Sequence, residues 1–330
     1  MVGAKLARDK LSDGSDPERA FRLYKEEPVP DGIRRIARGQ LDSAAEELGG
    51  ASSRKLGEAI HDARKRLKRL RASVRVARGA LGDEAYRRAN TGFRKTGQML
   101  SGVRDARVLV DTLDGLVDRF GKELSPEAIA PLRARLEREH KQALKSLKDD
   151  DGGVDLVVRK LKNARGRTAN WTFETDGFAA LAPGLRQIYR RGRRAMRKAG
   201  RNPTTANLHE LRKRVKDLWY ALEIVYPAAP KATTKLAKRA HRLSDLLGDD
   251  HDLAVLREYV LAHPELLEDP TRAALVALID RRRRALQRDG LRLAKRVYKR
   301  PPKRFVRGLE QGWKKRVPAP EQQQAAAVAA

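Results

Sequence analysis

Two stretches of this chain carry residue types suited to holding phosphate: His61-Asp-Ala-Arg64-Lys65-Arg66-Leu67-Lys68 and His209-Glu-Leu-Arg212-Lys213-Arg214-Val215-Lys216. Both read H-x-x-R-K-R-[LV]-K. On a helix, His61, Arg64 and Lys68 share one face, as do His209, Arg212 and Lys216. Like charges stacked at these spacings repel, so a chain that carries the pattern twice has something anionic to hold. Arg offers a planar fork of donors that matches phosphate oxygens, and Lys a compact charge. The histidines add hydrogen-bond donors to phosphate or to helix ends, and they charge further in acid.

The elements that position these groups follow from the apolar spacing. At 3.6 residues per turn, Ile60, Ala63, Leu67, Leu70 and Val74 form one apolar face. Arg64, Lys68, Arg71 and Arg75 fall on the adjacent face, with His61 at its edge. The basic stripe therefore flanks the core, whereas a solvated face lies opposite it and mixes both signs. No acid occurs from Arg64 to Arg78. The second copy sets Leu208, Leu211, Val215, Leu218 and Leu222 against His209, Arg212 and Lys216. It then departs, with Trp219 in the place of Arg71 and Glu223 in that of Arg75. The first half is expected to contribute more positive charge.

Two further blocks recur in the same order and at nearly the same spacing. Gly32-Ile-Arg34-Arg-Ile-Ala-Arg38 matches Gly184-Leu-Arg186-Gln-Ile-Tyr-Arg190, and Met99–Leu109 matches Leu246–Leu256. This is an internal duplication, not a short-period solenoid. Arg186, Arg190, Arg193 and Arg197 make a continuous stripe, and Arg34 and Arg38 a shorter counterpart. Halves packed about a pseudo-twofold axis would bring all these stripes into one groove. The third block reads as helix, turn, helix, stopped at Ser101-Gly102 and Gly248-Asp249. Asp105 and Asp252 are expected as N-cap or first-turn acids, with orientation of a nearby Arg or His as the other role.

Helical segments over 127–148 and 271–298 then close each half, giving about four helices per half. The expected division is a loose leader at 1–29, a first repeat at 30–150, a second at 177–300 and a basic, then low-complexity tail at 301–330. Asp149-Asp-Asp-Gly-Gly153 reads as a loop between the halves, and the chain past Val317 as disordered.

Composition bounds the chemistry. The 330 residues hold 73 Lys+Arg against 43 Asp+Glu, a formal charge of +30. That imbalance points to nucleic acid, anionic membrane or polyphosphate as partner. With no cysteine, disulfides, thiol catalysis and Cys-based metal centres are excluded. No P-loop or G-x-S-x-G occurs, so no enzyme is expected, and no cofactor. Metal binding by His61 or His209 is disfavoured by Arg64, Lys65, Arg212 and Lys213 one turn away. His140, His251 and His263 read as ordinary surface or packing residues, and His241 nearly so, though it precedes Arg242 on a basic helix. The N-terminus lacks a signal peptide's apolar core, and the longest apolar run, Ala273–Ile279, is far below a membrane span. A soluble cytoplasmic protein is expected.

Taken together, H-x-x-R-x-x-x-K at His61 and His209, L-x-x-x-R-D at Leu100–Asp105, and Leu-Leu-Gly…Asp-Leu-Ala-Val at 246–255 resemble the CHAD family, the conserved histidine α-helical domain. The resemblance covers roughly residues 30–300. It implies an all-α fold of two pseudo-twofold-related four-helix bundles with a basic central groove or pore. It also implies inorganic polyphosphate as partner and, in bacteria, association with polyphosphate granules. By motif position His61, Arg64, Lys68, His209, Arg212 and Lys216 carry over as ligand contacts, and Arg71 and Arg75 more weakly. Lys65, Lys213, Arg34, Arg38, Arg186 and Arg190 join them as candidates through the stripes.

CHAD domains often accompany triphosphatases with an ExExK signature, and Glu137-Arg-Glu139-His-Lys141 matches that string. The signature needs a strand, whose period of two aims all three side chains one way. Here Leu132, Leu136, Leu144 and Leu147 set a helical period, so no catalytic role is assigned. The alternative function is non-specific nucleic-acid binding by counterion release, although aromatics for base stacking are only 5% of the chain. Trp313, among Lys314, Lys315 and Arg316, sits either in a solubilising tail or at a membrane interface.

Overall fold

The computed structural model describes residues 16–315, apart from 53, 122, 150–152 and 227–229. Among the described residues it is all-α, with no strand. The helices are α1 (Val29–Gly49), α2 (Leu56–Val76), a single turn α3 (Arg78–Leu81), α4 (Asp83–Met99), α5 (Ser101–Phe120), α6 (Ala130–Asp149), α7 (Gly153–Arg167), α8 (Gly177–Arg201), α9 (Thr205–Ile224), α10 (Pro230–Ala262), α11 (Asp269–Val297) and α12 (Pro302–Lys314). Ala, Leu, Arg and Lys, all strong helix formers, dominate these segments. Polar side chains cap the starts of α8 and α9. Thr204 accepts from the Asn207 amide at α9. Asp176 accepts from the Gly177 amide at α8 and from the Val29 amide at 2.8 Å, which joins the openings of α8 and α1.

The hydrophobic interior forms two clusters, and neither belongs to one half of the sequence. The larger joins α1, α2, α3, α4, α7, α8, α9 and α12 with the first half of α10 and the C-terminal end of α11. The smaller joins α5 and α6 from the first half with the far end of α10 and the start of α11 from the second. On α5, Val103 belongs to the larger core and Leu109 to the smaller. On α10, Leu247 belongs to the larger and Leu253 to the smaller. The intervening residues include Arg104 and His251, so polar side chains stand where the two cores meet.

Close packing explains one recurring glycine. A Cβ on Gly184 would lie 2.0 Å from the Val76 carbonyl oxygen, so α8 crosses the end of α2 where no side chain fits.

Several segments differ from their sequence reading. Residues 16–28 are not loose: Phe21 and Leu23 are buried, and the Leu23 amide donates to the Ile224 carbonyl at 2.9 Å. Arg35 ties this segment down through the Pro17, Ala20 and Arg22 carbonyls and Glu27. The basic stretch after Pro301 forms α12. Its Phe305 stacks on Tyr189 at 4.1 Å, and Trp313 is buried against Phe178. Trp313 is thus a core residue, neither a tail nor a membrane anchor. Apolar burial worth about 1.5–3 kcal/mol per large side chain outweighs the basic composition of the segment. α10 runs unbroken through Gly248-Asp249. Asp252 is therefore a mid-helix residue, and α5 begins at Ser101 after Leu100, which provides no side-chain cap, so neither Asp105 nor Asp252 is an N-cap. A lone helical glycine costs only about 1 kcal/mol relative to alanine, which packing along a long helix overrides. The expected disorder past Val317 lies outside the described residues.

Candidate anion site between the two cores

The duplicated stripes meet. Lys68 on α2 has Lys216, Arg64, Arg212 and Arg104 as its nearest electrostatic neighbours, in that order. These residues come from α2, α5 and α9, and so from both halves of the chain. The side chain of Lys68 is open to solvent, yet desolvation by surrounding protein, followed by those four cations, drives its ammonium well below the ordinary lysine value. Lys68 thus reaches solvent while protein packs closely around its charge. The charges acting most strongly on Lys68 are all positive.

The two arginines of the motif are held in matching poses. Arg64 is mostly buried. It donates from Nη1 to the Gly97 carbonyl at 2.9 Å and approaches the exposed Asp105 at 3.7 Å. Desolvation, partly offset by Asp105, lowers its pKa. Arg212 lies along Gly248, whose Cβ position is 3.4 Å from the guanidinium. A side chain there would meet Arg212 at ordinary contact distance, so the guanidinium packs directly against α10. Nε of both Arg64 and Arg212 is buried without a hydrogen-bond partner. A buried charged donor left unmatched costs about 1–3 kcal/mol or more, so both guanidiniums are set for an acceptor.

Beside Arg212 the imidazoles of His209 and His251 pack at a centroid distance of 4.1 Å, with Nδ1 of each buried and unpartnered. Both pKa values are lowered to about 4. For His209 the causes are burial, then His251, Lys213 and Arg212. For His251 they are burial, then Arg212, Arg283 and Lys213. The pair is neutral near pH 7. It rests on a buried anchor, where Asp250 accepts from Arg283 at 3.1 Å and Gln287 at 2.8 Å, and Arg283 reaches Thr205 at 3.0 Å.

Of the residues expected at the site, Arg64, Lys68, Arg212 and Lys216 are brought together, with His209 alongside Arg212. His61 is half-buried one turn from Arg64. Lys213 sits at the edge, paired with Glu210 at 2.7 Å. Arg71 and Arg75 lie further along α2. Arg71 donates to Asn90 at 3.2 Å, and burial, then Arg75, brings its pKa to about 10. Arg75 is bound to Asp217 of α9, a contact between the halves.

The remaining candidates stand elsewhere. Lys65 is buried, 3.7 Å from Asp62, on another side of α2. Arg34 donates to the Trp171 carbonyl and to Asp31 and lies over the Phe173 ring; Arg38 follows one turn on. Arg186 and Arg190 are exposed on the side of α8 opposite its buried Leu181, Leu185, Ile188, Ala195 and Ala199. Their stripe points outward. Tertiary packing decides which flank of a helix turns inward, and spacing alone does not.

Arg104 and His251 were not among the candidates. They occupy equivalent places in the third repeated block, Arg104-Asp105 against His251-Asp252. That alignment was a usable signal. Among the described residues no cluster of three or more metal-ligating side chains occurs, and no helix is long and apolar enough to cross a membrane.

The chain is thus an all-helical domain in which cations from a duplicated motif gather around Lys68. The sequence matches the CHAD domain family over residues 35–261, and the chain belongs to that family, which is associated with polyphosphate binding and is typically a binding rather than a catalytic domain. The fold is similar to the crystal structure of the CHAD domain from the plant Ricinus communis. That match has a TM-score of 0.54 at 20% identity and covers 90% of this chain and 97% of that one. No curated protein matches the sequence.

Proposed function

We propose that this protein binds inorganic polyphosphate in the crevice between its two cores, as a non-catalytic binder at polyphosphate granules of a bacterial cell. The observation that carries the reading is the enclosure of Lys68 by Lys216, Arg64, Arg212 and Arg104 with no acid among them. Such a cluster repels itself in the empty state, and a chain of phosphates supplies repeated negative oxygens along it. Arg64 and Arg212 each have an unmatched buried Nε to direct at those oxygens. A single-file polyanion enters a crevice of this kind, whereas a duplex meets only an open face. In this reading Lys213 and His61 line the approach, and the repeats at 30–150 and 177–300 act as one binding unit.

The direct test is titration of long-chain polyphosphate into wild type and Arg64→Ala/Arg212→Ala at physiological salt. Loss of at least tenfold in affinity, about 1.4 kcal/mol, supports the crevice. Equal loss in Arg190→Ala/Arg194→Ala, which removes two exposed cations of α8, would instead place binding in diffuse charge.

A further inference from the structure

A second cationic surface lies on the outer side of α8. Arg190, Arg194, Arg197 and Arg201 are all exposed and recur at i, i+4, i+7 and i+11, a row about 16 Å long at 1.5 Å per residue. α8 contains no acidic residue from Gly177 to Arg201. One turn before Arg190, the exposed Arg186 shares a cleft with Lys303 and Arg307 of α12, whose carboxylate, Glu310, is occupied by Lys314 at 3.0 Å.

Four exposed arginines on α4 and α6 show the contrasting arrangement. Arg87 is paired with Asp83 and Arg88 with Glu84 on α4, and Arg133 with Glu137 and Arg135 with Glu139 on α6, each one turn apart. Among the described residues no ion pair reaches Arg190, Arg194, Arg197 or Arg201. Like charges at one-turn spacing destabilise a helix. The chain avoids that cost on α4 and α6 and carries it on α8.

We infer that this outer face of α8 and α12 docks the phosphate backbone of duplex nucleic acid, separately from the crevice. The surface is an open row with no enclosure, which suits a rod presenting a charge about every 1.7 Å along its axis. It offers a bilayer no aromatic or large exposed apolar side chain, only Ala182, Pro183 and the half-buried Val306 at the cleft: Phe305, Leu309 and Trp313 of α12 are turned into the core, and the exposed large apolar residues Tyr226, Val255 and Leu261 lie on other elements. A membrane-surface helix would instead present its aromatic residues outward. The inference does not depend on what occupies the crevice.

The test uses the full chain and a labelled DNA duplex, with affinity followed against salt. Arg190→Ala/Arg194→Ala/Arg197→Ala/Arg201→Ala removes exposed side chains in favour of the best helix former, so the fold is retained, as circular dichroism checks. The slope of log K against log salt should fall by about 3–4, near 0.9 per lost phosphate contact, while polyphosphate affinity changes less than about twofold. Arg64→Ala/Arg212→Ala should leave the duplex slope unchanged. A quadruple variant whose slope stays within one unit of wild type overturns the inference. So does a slope that falls equally in the crevice variant. Loss of binding to phosphatidylglycerol vesicles without change in the duplex slope would make the face a membrane surface and equally overturn it.

Discussion

Arg64 and Arg66 stand two residues apart on α2 with opposite environments. Arg66 is only 1% exposed and is held by Glu47 through hydrogen bonds of 3.0 and 2.6 Å on the side facing α1. Arg64 faces α4 and α5, has a main-chain carbonyl and a distant, exposed carboxylate for company, and keeps a buried Nε unmatched. The first is a structural ion pair whose partner is already in the chain. The second has a place for an acceptor that the chain does not supply. Composition cannot separate them, since both are arginines in one basic run; only the neighbouring helix does.

The largest separation of the two roles should come from Arg64→Ala/Arg212→Ala. Each charge-assisted contact is worth about 1.5–3 kcal/mol, so polyphosphate affinity should fall a hundredfold or more in calorimetric titration. The melting temperature should hold or rise, because removing two cations relieves the repulsion around Lys68. Arg66→Ala should do the reverse. Leaving Glu47 without its partner costs about 3 kcal/mol, read by urea unfolding, while the folded fraction binds polyphosphate within about twofold of wild type.

A smaller effect should distinguish the two arms of the crevice. The first arm carries Arg104 where the second carries His251, so one stays charged and the other titrates. His209 and His251 have native pKa values near 4 against an ordinary 6.5. Between those values the unfolded chain binds protons that the native state does not. Stability of the unliganded protein should therefore fall as pH drops from about 6.5 toward 4. A bound polyanion favours the charged imidazoles, so affinity should rise over the same window with proton uptake. His251→Ala should flatten that rise by several-fold. A pH profile identical to wild type would remove the histidine pair from the site.

Much of this was legible in the sequence. The closing helices at 127–148 and 271–298 appear as Ala130–Asp149 and Asp269–Val297, because long apolar periods survive tertiary packing. The pairing of Arg64 and Lys68 with Arg212 and Lys216 followed from the duplication. The flank chosen by α8 did not, since an arginine row at one-turn spacing reads the same whether it faces a groove or solvent. α12 was hidden for a related reason: Phe305, Leu309 and Trp313 make a sparse apolar stripe among lysines and arginines. The unbroken course of α10 was hidden by Gly248, which sits inside the helix beside Arg212 and does not end it.

The most direct measurement is competition at physiological salt: labelled polyphosphate bound to the full chain, displaced by unlabelled polyphosphate or by duplex DNA matched in total charge. Binding in the crevice predicts that polyphosphate competes at least tenfold better, a difference of about 1.4 kcal/mol. Equal competition by the duplex would mean that the +30 charge alone accounts for binding, and would contradict a shaped phosphate site around Lys68.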